Sequence, residues 1–492
     1  MNATKKIIVI FLTSFSFGCQ NINEAHKEQS IPDMLEQSLS SVVTIKITST
    51  GMAKNVFGFA SDSTNKSQMA YNNITEFLSD AESVGSGFAI SYKNKKYIIT
   101  NTHVVDKSTD DESSIVAISY SRKEYPLHLV GGDSFYDIAV LELKDTSEND
   151  ITTLAIDSND FRVGDDVFAI GNPLGSFPYS VTEGIISAKN RPGITAKFGY
   201  LQSSAMISRG NSGGPLLNKQ GDIVGVNTLG VEKSQQLNFA LEAKILRKVV
   251  EDIVNNNGRV RRAYLGFEVV DEYQYETDTK GNYNWKRTGK RPVVSRVFPN
   301  SPSANQLNDF IGDEIIEANG KEINSANDLL GVLENMKPND TLNLELASND
   351  NKVPCKIISD ELTKIKLAEI ASNYFKEHFG IAITQDDKLV KMEYPFFGYK
   401  NNCYQIYDPQ NEKFIEYLPK GETSYIIAFG NTSDIEDLDF WRVRTLADVG
   451  VALKLSGLDG QLSFIEYDGR QKYISRVLIC DKKDRVNRTL IY

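Results

Sequence analysis

One short stretch near the middle of the chain restricts its possible folds more than any other, namely Gly210-Asn211-Ser212-Gly213-Gly214-Pro215. Glycines on both sides of a serine let the backbone adopt conformations that are closed to other residues. On such a tight loop the hydroxyl is exposed, and the N–H groups of Gly210 and Ser212 can point together at an oxygen that gains negative charge. The stretch therefore predicts a serine nucleophile with its oxyanion hole, which is what acyl transfer requires.

A serine nucleophile needs a base, and the base needs an orienting carboxylate. Of the four histidines, at 26, 103, 128 and 378, only His103 lies in a segment typical of a strand followed by a turn. Asp137 opens an apolar run to Leu143 that is typical of a buried strand. The order His103, Asp137, Ser212 predicts that the three side chains meet only through tertiary folding, as the triad on a chymotrypsin-like double β-barrel does.

Other interpretations of these residues exist. Gly210, Ser212 and Gly214 also fit the nucleophile elbow of an α/β-hydrolase, but that fold has its acid and histidine after the serine, and the only later histidine is His378. Taken singly, the serine stretch is typical of a turn, His103 of a structural strand end and Asp137 of a cap. The ordered set of three favours catalysis over these structural explanations.

The chain resembles the HtrA/Deg (DegP-like) family of trypsin-like serine proteases over roughly residues 40–350. The resemblance rests on several short motifs that follow the family's order. They are Val84-Gly85-Ser86-Gly87-Phe88, Thr100-Asn101-Thr102-His103-Val104-Val105, Asp137-Ile138-Ala139-Val140-Leu141, Gly171-Asn172-Pro173-Leu174-Gly175, Val181-Thr182-Glu183-Gly184-Ile185-Ile186-Ser187, the serine stretch with Leu216, and Ile223-Val224-Gly225-Val226-Asn227-Thr228.

This resemblance implies a mainly β chain with a chymotrypsin-like double β-barrel and an ATP-independent endopeptidase that degrades unfolded or damaged proteins. It implies that Ser212 attacks the peptide carbonyl, that His103 transfers the proton and that Asp137 holds the imidazole. The residues expected to bind substrate are Ile207, Val226, Asn227 and Thr228. Arg209 departs from the family's approach to the serine and predicts an altered subsite preference.

A second module is expected after the barrels. Residues 241–257 have apolar positions at helical spacing and end in Asn and Gly, which predicts a linker helix. Tyr264-Leu265-Gly266-Phe267 then resembles the carboxylate-binding loop and first groove strand of a PDZ domain, where C-terminal peptides pair with a strand edge. Later segments follow the same pattern, although a generic α+β module is the alternative interpretation.

The remaining residues, 359–492, predict an α+β domain of unassigned fold and role. Asp360 is expected to cap a helix over 361–379, and Asp468-Gly469 predicts a hairpin between two strand-like runs. His378, Asp386 and Asp387 are too scattered for a metal site. The predicted divisions are a signal peptide at 1–18, a linker at 19–40, the protease domain at 41–257, the PDZ domain at 258–358 and the C-terminal domain at 359–492.

Composition restricts the partners. The 492-residue chain is 40% apolar, enough for about three domains, and its net charge of −11 argues against nucleic acid as the main partner. No phosphate loop or dinucleotide fingerprint occurs, so no cofactor is predicted. Cys355, Cys403 and Cys480 are too widely spaced to predict a zinc site or a disulfide framework.

The N-terminus has the pattern of an export signal, with Lys5 and Lys6 before the apolar residues 7–17. Gly18-Cys19 resembles a bacterial lipoprotein cleavage site, which predicts a lipid anchor on Cys19, but ordinary signal cleavage fits as well. Either way the protein is expected in the periplasm or cell envelope.

Two long polar segments remain open to interpretation. Residues 49–82 stand where the family carries a loop that masks the active site in homo-oligomers, and a trimer is implied by the resemblance alone; a disordered insertion is the alternative. Residues 271–291 either shape peptide access or pack on their own domain.

The sequence is compatible with two functional classes, a quality-control protease and a peptide-binding chaperone or scaffold with little or no proteolytic activity. The presence of all three catalytic candidates favours the protease.

Overall fold

The structure is a computed structural model of the 492-residue chain. It describes residues 30–48, 82–105, 114–145, 149–157, 159–172, 179–191, 199–208, 210–230, 238–271, 273–277, 283–287, 291–349, 351–386, 389–393, 405–408, 413–415, 423–430, 440–456, 461–467, 473–479 and 487–491. The predicted signal segment with Cys19, the residue Arg209 and almost all of the polar segment 49–82 lie outside these residues.

Two closed six-stranded barrels form the first half of the described chain, after an N-terminal helix α1 (Ile31–Leu39). The first barrel has the order β1-β2-β3-β6-β5-β4 and the second β10-β11-β12-β9-β8-β7. The strands are β1 (Val42–Thr48), β2 (Glu82–Tyr92), β3 (Lys95–Thr100), β4 (Ser114–Ile118), β5 (Glu124–Asp133), β6 (Ile138–Leu143), β7 (Asp166–Gly171), β8 (Ser180–Arg191), β9 (Tyr200–Ser203), β10 (Pro215–Leu217), β11 (Ile223–Gly230) and β12 (Asn238–Glu242). The prediction of a mainly β, double-barrel protease fold is confirmed.

A short helix, α2 (Thr102–Val105), follows β3, and a longer helix, α3 (Ala243–Asn255), follows β12 and confirms the predicted linker helix. The apolar face of α3 buries Ile245, Leu246, Val249, Val250 and Ile253. These side chains share one hydrophobic cluster with residues of both barrels. The helix therefore fixes the two barrels against each other, along the face where the chain enters the next domain.

The next domain is an open antiparallel sheet with two short helices, and it has the order β21-β20-β18-β17-β14-β31 with β19 paired to β18. Its elements are β13 (Ala263–Tyr264), β14 (Phe267–Asp271), β15 (Tyr273–Thr277), β16 (Tyr283–Arg287), β17 (Val293–Val297), α4 (Ala304–Leu307), a 3₁₀ turn (Asn308–Phe310), β18 (Glu314–Ala318), β19 (Lys321–Glu322), α5 (Ala326–Leu333), β20 (Thr341–Ser348) and β21 (Asn351–Ile358). Strands β15 and β16 pair as a hairpin within the polar segment 271–291. The last strand of this sheet, β31 (Asn487–Ile491), comes from the far end of the chain.

The C-terminal residues form a second open sheet with two helices, which agrees with the predicted α+β architecture. Its order is β23-β24-β27-β29-β30-β25-β26, with β28 paired to β27. The elements are β22 (Asp360–Glu361), α6 (Lys364–Tyr374) with a π turn (Phe375–Phe379), β23 (Ala382–Asp386), β24 (Leu389–Glu393), β25 (Gln405–Asp408), β26 (Lys413–Ile415), β27 (Thr423–Gly430), β28 (Phe440–Arg442), α7 (Leu446–Ser456), β29 (Gln461–Tyr467) and β30 (Tyr473–Ile479).

Two predictions for this region have different outcomes. Strands β29 and β30 pair antiparallel up to Tyr467 opposite Tyr473, which confirms the hairpin, although its Asp468-Gly469 turn lies outside the described residues. The expected cap Asp360 is wrong, because Asp360 and Glu361 pair as a strand with β13 and the side chain of Thr363 caps α6 instead. Among the described residues, no helix is both long and apolar enough to cross a membrane.

Candidate active site

Asp137 lies at the junction between the two-residue aromatic segment Phe135-Tyr136 and strand β6. Its side chain is fully buried and its backbone has a φ of +56°, a conformation that non-glycine residues adopt rarely and mostly where surrounding contacts enforce it. The enforcing contacts are visible: the carbonyl of Asp137 accepts hydrogen bonds from the Asn101 side chain at 2.7 Å and the Thr102 N–H at 3.2 Å. The carboxylate is thereby aimed at the start of α2.

His103 stands on α2, one turn beyond the end of β3, so both its ring and its backbone face Asp137. One carboxylate oxygen is 2.5 Å from His103 Nδ1, and the other accepts the His103 backbone N–H at 2.9 Å and the Thr102 hydroxyl at 2.5 Å. The imidazole is about one-third exposed while the carboxylate is buried. A carboxylate on Nδ1 fixes the proton there and leaves the Nε2 lone pair available as a base.

The serine loop is held by contacts that require its glycines. A Cβ on Gly213, whose φ is +83°, would lie 2.3 Å from the Ser86 carbonyl and from the Thr100 hydroxyl, and a Cβ on Gly214 would lie 2.1 Å from the Ile170 carbonyl. No side chain fits at these distances, so the loop packs directly on the backbone of both barrels. This packing presents Ser212 at the interface between them.

Ser212 is bonded to both barrels. Its carbonyl accepts the N–H of Ser86 on β2 at 3.0 Å, and its hydroxyl donates to the carbonyl of Thr228 on β11 at 2.9 Å. A serine that attacks a carbonyl must give its hydrogen to a base. In this arrangement the hydroxyl is bonded to Thr228, so the transfer predicted from the sequence requires it to reorient.

Comparison with known proteins gives the family. A model of the trypsin-like peptidase domain matches residues 85–226, and a PDZ domain model matches residues 263–358. The serine protease Do-like HtrA of Bacillus subtilis is 32% identical over 356 residues, which cover 69% of this chain and 74% of that protein. The chain belongs to the HtrA family. The predicted resemblance and the PDZ domain are thereby confirmed.

Other relatives match different shares of this chain and of their own length. The periplasmic pH-dependent serine endoprotease DegQ of Escherichia coli is 29% identical and matches 68% of this chain and 71% of its own length. The Do-like HtrB of Bacillus subtilis is 34% identical, but the chain spans only 60% of it. Among solved structures, an HtrA-type protease AlgW with a tripeptide superposes with a TM-score of 0.52 at 24% identity, over 68% of this chain and 98% of that one, which supports the fold.

Ser86 is a site residue whose role the sequence analysis missed. It is fully buried on β2, its hydroxyl donates to the Gly210 carbonyl at 2.6 Å, and the same oxygen accepts the N–H of Asn172 at 2.9 Å. The hydroxyl therefore orients the peptide unit between Gly210 and Asn211, on the approach to Ser212. The available signal was a small polar residue between two glycines in the Gly85-Ser86-Gly87 motif of this family.

The four residues expected to bind substrate lie in strand β11 and in the segment that follows β9. The side chains of Ile207, Val226, Asn227 and Thr228 are all buried, at 6% exposure or less. Asn227 also donates its side-chain N–H to the Pro215 carbonyl at 3.0 Å. Because all four side chains are buried, they offer little surface for contact with a substrate.

The four residues of the predicted peptide-binding loop divide between two cores. Leu265 and Phe267 lie in the core of the PDZ sheet, whereas the Tyr264 ring packs into the core of the C-terminal domain, where burial raises its pKa to about 12. Gly266 has a φ of +79°, and a Cβ there would lie 2.3 Å from Ser301. Its N–H donates to the carbonyl of Ile491 at 3.1 Å, so this loop already holds a strand of the same chain.

A polar junction links the barrels to the PDZ domain next to Asp137. Arg262 donates from both terminal nitrogens to the buried carboxylate of Asp133 at 2.6 Å, and its guanidinium lies 4.6 Å from the centre of the Phe135 ring. The Tyr136 hydroxyl donates to the Glu334 carboxylate. The Lys248 ammonium donates to the backbone carbonyl of Glu334 and forms an ion pair with its carboxylate. Burial, and then the Glu334 carboxylate, raise the pKa of Tyr136 well above its ordinary value.

The same junction holds a lysine from the C-terminal domain. Lys454 on α7 has its ammonium 5.0 Å from the centre of the Phe135 ring. Burial, and then the nearby Arg262 charge, lower the pKa of Lys454 to about 8. Within the described residues, no group of three or more His, Cys, Asp or Glu side chains could hold a metal ion.

Proposed function

We propose that the chain is an ATP-independent serine endopeptidase of the cell envelope, which degrades unfolded or damaged proteins and whose PDZ domain binds peptides that recruit substrate or regulate access. The observation that carries the proposal is the buried Asp137 carboxylate, which is 2.5 Å from His103 Nδ1 and bonded to the His103 N–H. The relatives HtrA and DegQ, named a serine protease and a serine endoprotease, support the same activity.

In the first half of the proposed reaction, Ser212 Oγ attacks the peptide carbonyl and its proton passes to His103 Nε2. The carbonyl oxygen becomes negative and binds the N–H groups of Gly210 and Ser212. The C–N bond then breaks, the leaving amine takes the proton from His103, and an ester to Ser212 remains. Asp137 stabilises the imidazolium that forms in between.

In the second half, water takes the place of the amine. His103 removes a proton from the water, the hydroxide adds to the ester carbonyl, and the same two N–H groups bind the oxyanion. The C–O bond to Ser212 breaks and Oγ recovers the proton from His103, which releases the carboxylic acid. We propose that the substrate chain aligns along the backbone of β11 beyond Val226, at Asn227 and Thr228, and beside Ile207.

The test uses the full mature chain, a reduced and carboxymethylated globular protein as substrate, and a fluorophosphonate probe that labels activated serines. Cleavage and labelling are expected in the unaltered chain and in the exposed control Ser121→Ala, and both are expected to vanish in Ser212→Ala. Absence of cleavage and labelling in the unaltered chain, with apolar peptides added, would favour the peptide-binding chaperone or scaffold instead.

We also propose an exported protein with the domain boundaries at 41–257, 258–358 and 359–492, a lipid on Cys19 and a trimeric assembly. The pattern around Gly18-Cys19 supports export and the lipid on Cys19, and family membership supports the trimer. A lipidated chain partitions into detergent phase and Cys19→Ser does not. Partition of both proteins into water would refute the anchor, and sedimentation of the detergent-solubilised chain measures the assembly.

A further inference from the structure

The peptide-pairing edge of the PDZ domain is filled by a strand of the same chain. Strand β31 pairs antiparallel with β14 over five residues, from Phe267 opposite Ile491 to Asp271 opposite Asn487. The loop N–H of Gly266 adds a hydrogen bond to the Ile491 carbonyl. A peptide that binds by strand addition makes the same kind of contact, since it pairs with an exposed sheet edge through its backbone.

A side chain accompanies the backbone pairing. Ile491 is 1% exposed and belongs to the PDZ core cluster together with Leu265 and Phe267 of the loop. It also lines a cavity with Leu330 and Leu333 of helix α5. Strand addition gains specificity from pockets for alternate side chains, so this seat for an aliphatic residue is what a selective groove would provide.

Strand β31 stands at the end of the strand order of the PDZ sheet. Within the described part of the chain, β31 pairs with β14 alone, whereas β30, which precedes it by seven residues, belongs to the C-terminal sheet. A five-residue strand with one neighbour is among the elements that open at low free energy. β31 can therefore leave β14 without unfolding either sheet.

We propose that Asn487–Ile491 is an internal peptide ligand of the PDZ domain, which competes with external extended peptides that carry an aliphatic residue in the place of Ile491. This rests on the proposed function only for the role of the PDZ domain in binding peptides. A tethered ligand acts at an effective concentration of about 1 mM, so a tethered segment with an intrinsic dissociation constant of about 10–100 µM weakens the binding of an external peptide about 10- to 100-fold.

The test measures binding of a fluorescein-labelled peptide with the sequence of residues 484–492 to the full chain carrying Ser212→Ala, so that no cleavage intervenes. Removal of residues 487–492, and separately Ile491→Asp, are expected to tighten binding at least tenfold relative to the Ser212→Ala chain. Ile358→Asp makes the same chemical change at a residue that is 65% exposed on the same domain, and it is expected to change nothing.

A reversible lock gives the opposite change. Val270 and Arg488 are opposite each other in the register, so Val270→Cys with Arg488→Cys, when oxidised, holds β31 on β14. Oxidation is expected to abolish binding of the labelled peptide, and reduction to restore it. Circular dichroism establishes that each variant is folded.

Two results would overturn the proposal: equal affinities in the Ser212→Ala chain, the truncated chain and Ile491→Asp, or no binding in any of them. Because the measurement uses a chain without the serine nucleophile, it is independent of proteolysis. Absence of proteolysis in the unaltered chain would refute the proposed protease activity but not the internal ligand. Equal peptide affinities in the three chains would refute the internal ligand but not the protease activity.

Discussion

The protease barrels and the PDZ sheet differ in whether their edge strands are paired. The barrels are called the rigid half below, and the PDZ sheet with β31 is called the adaptable half. Each barrel closes on itself, so its described strands have neighbours on both sides. The PDZ sheet is open, and β14 is completed by residues more than 200 positions later in the chain. Closed barrels hold His103, Asp137 and Ser212 by many contacts, whereas the open edge depends on a short strand that can be exchanged. We therefore expect catalysis on the rigid half and ligand exchange on the adaptable half.

The rigid half is tested most strongly at its buried carboxylate. Asp137→Asn keeps the size of the side chain but replaces a carboxylate oxygen with an amide, so the imidazole loses the partner that fixes its tautomer. We expect kcat to fall about 10⁴-fold. Hydrolysis of a fluorogenic peptide measures it, with the exposed Asp160→Asn as the control. A fall below tenfold would remove Asp137 from the mechanism.

The junction between the two halves offers a matched pair of neighbouring arginines. Arg262→Met leaves Asp133 buried without its cation, and we expect the free energy of unfolding to fall by about 3–5 kcal/mol. Arg261 pairs with Glu361 at the surface, where solvent screens both charges, so Arg261→Met is expected to cost much less than Arg262→Met. Urea unfolding measures both. Equal costs would mean that the Asp133 pair does not hold the domains.

Ser86 provides a smaller test within the rigid half. Ser86→Ala removes the donor to the Gly210 carbonyl and the acceptor for the Asn172 N–H. Loss of buried hydrogen bonds of this kind costs about 1–3 kcal/mol, which corresponds to about 5- to 150-fold in kcat/KM if the cost falls on the transition state. A role in orienting the oxyanion loop lowers kcat and slows fluorophosphonate labelling, with little change in KM. A change confined to thermal stability would make Ser86 purely structural.

Lys454 gives the smallest effect, and it depends on pH. Its pKa is about 8 in the folded chain against an ordinary 10.5, so between these values the unfolded chain binds more protons. Charged Lys454 therefore costs stability at and below about pH 8, and this cost is relieved as the pH rises from about 8 to 10.5, by up to about 1.4 kcal/mol per pH unit. The midpoint of urea unfolding is expected to rise from pH 8 to pH 9.5 in the unaltered chain, and to rise less in Lys454→Met. Parallel changes in both proteins would exclude Lys454 as the cause.

The sequence predicted the rigid half better than the adaptable half for a physical reason. His103, Asp137 and Ser212 each lie within a local sequence motif, and their order is enough to assign the double barrel. Strand β31 has no such motif, because edge pairing uses backbone groups that every residue carries. Its partner can be recognised only once the fold brings Ile491 to Gly266.

Local rules failed where tertiary contacts competed with them. Asp360 and Thr363 are both suitable helix caps, and pairing with Ala263-Tyr264 draws Asp360 into a strand and leaves the cap to Thr363. The ion pair between Arg262 and Asp133 joins residues 129 positions apart, so no periodicity in the sequence indicates it. The role of Ser86 likewise depends on a loop that comes from the other barrel.

Amide hydrogen exchange along β14 tests the contrast between closed and open edges most directly. Alternate N–H groups of Phe267–Asp271 face β31, and we expect these to exchange at least tenfold faster when residues 487–492 are removed. The amides of β20 and β21 in the same sheet are expected to keep their rates. Unchanged exchange in β14 after the removal would mean that β31 does not cover this edge.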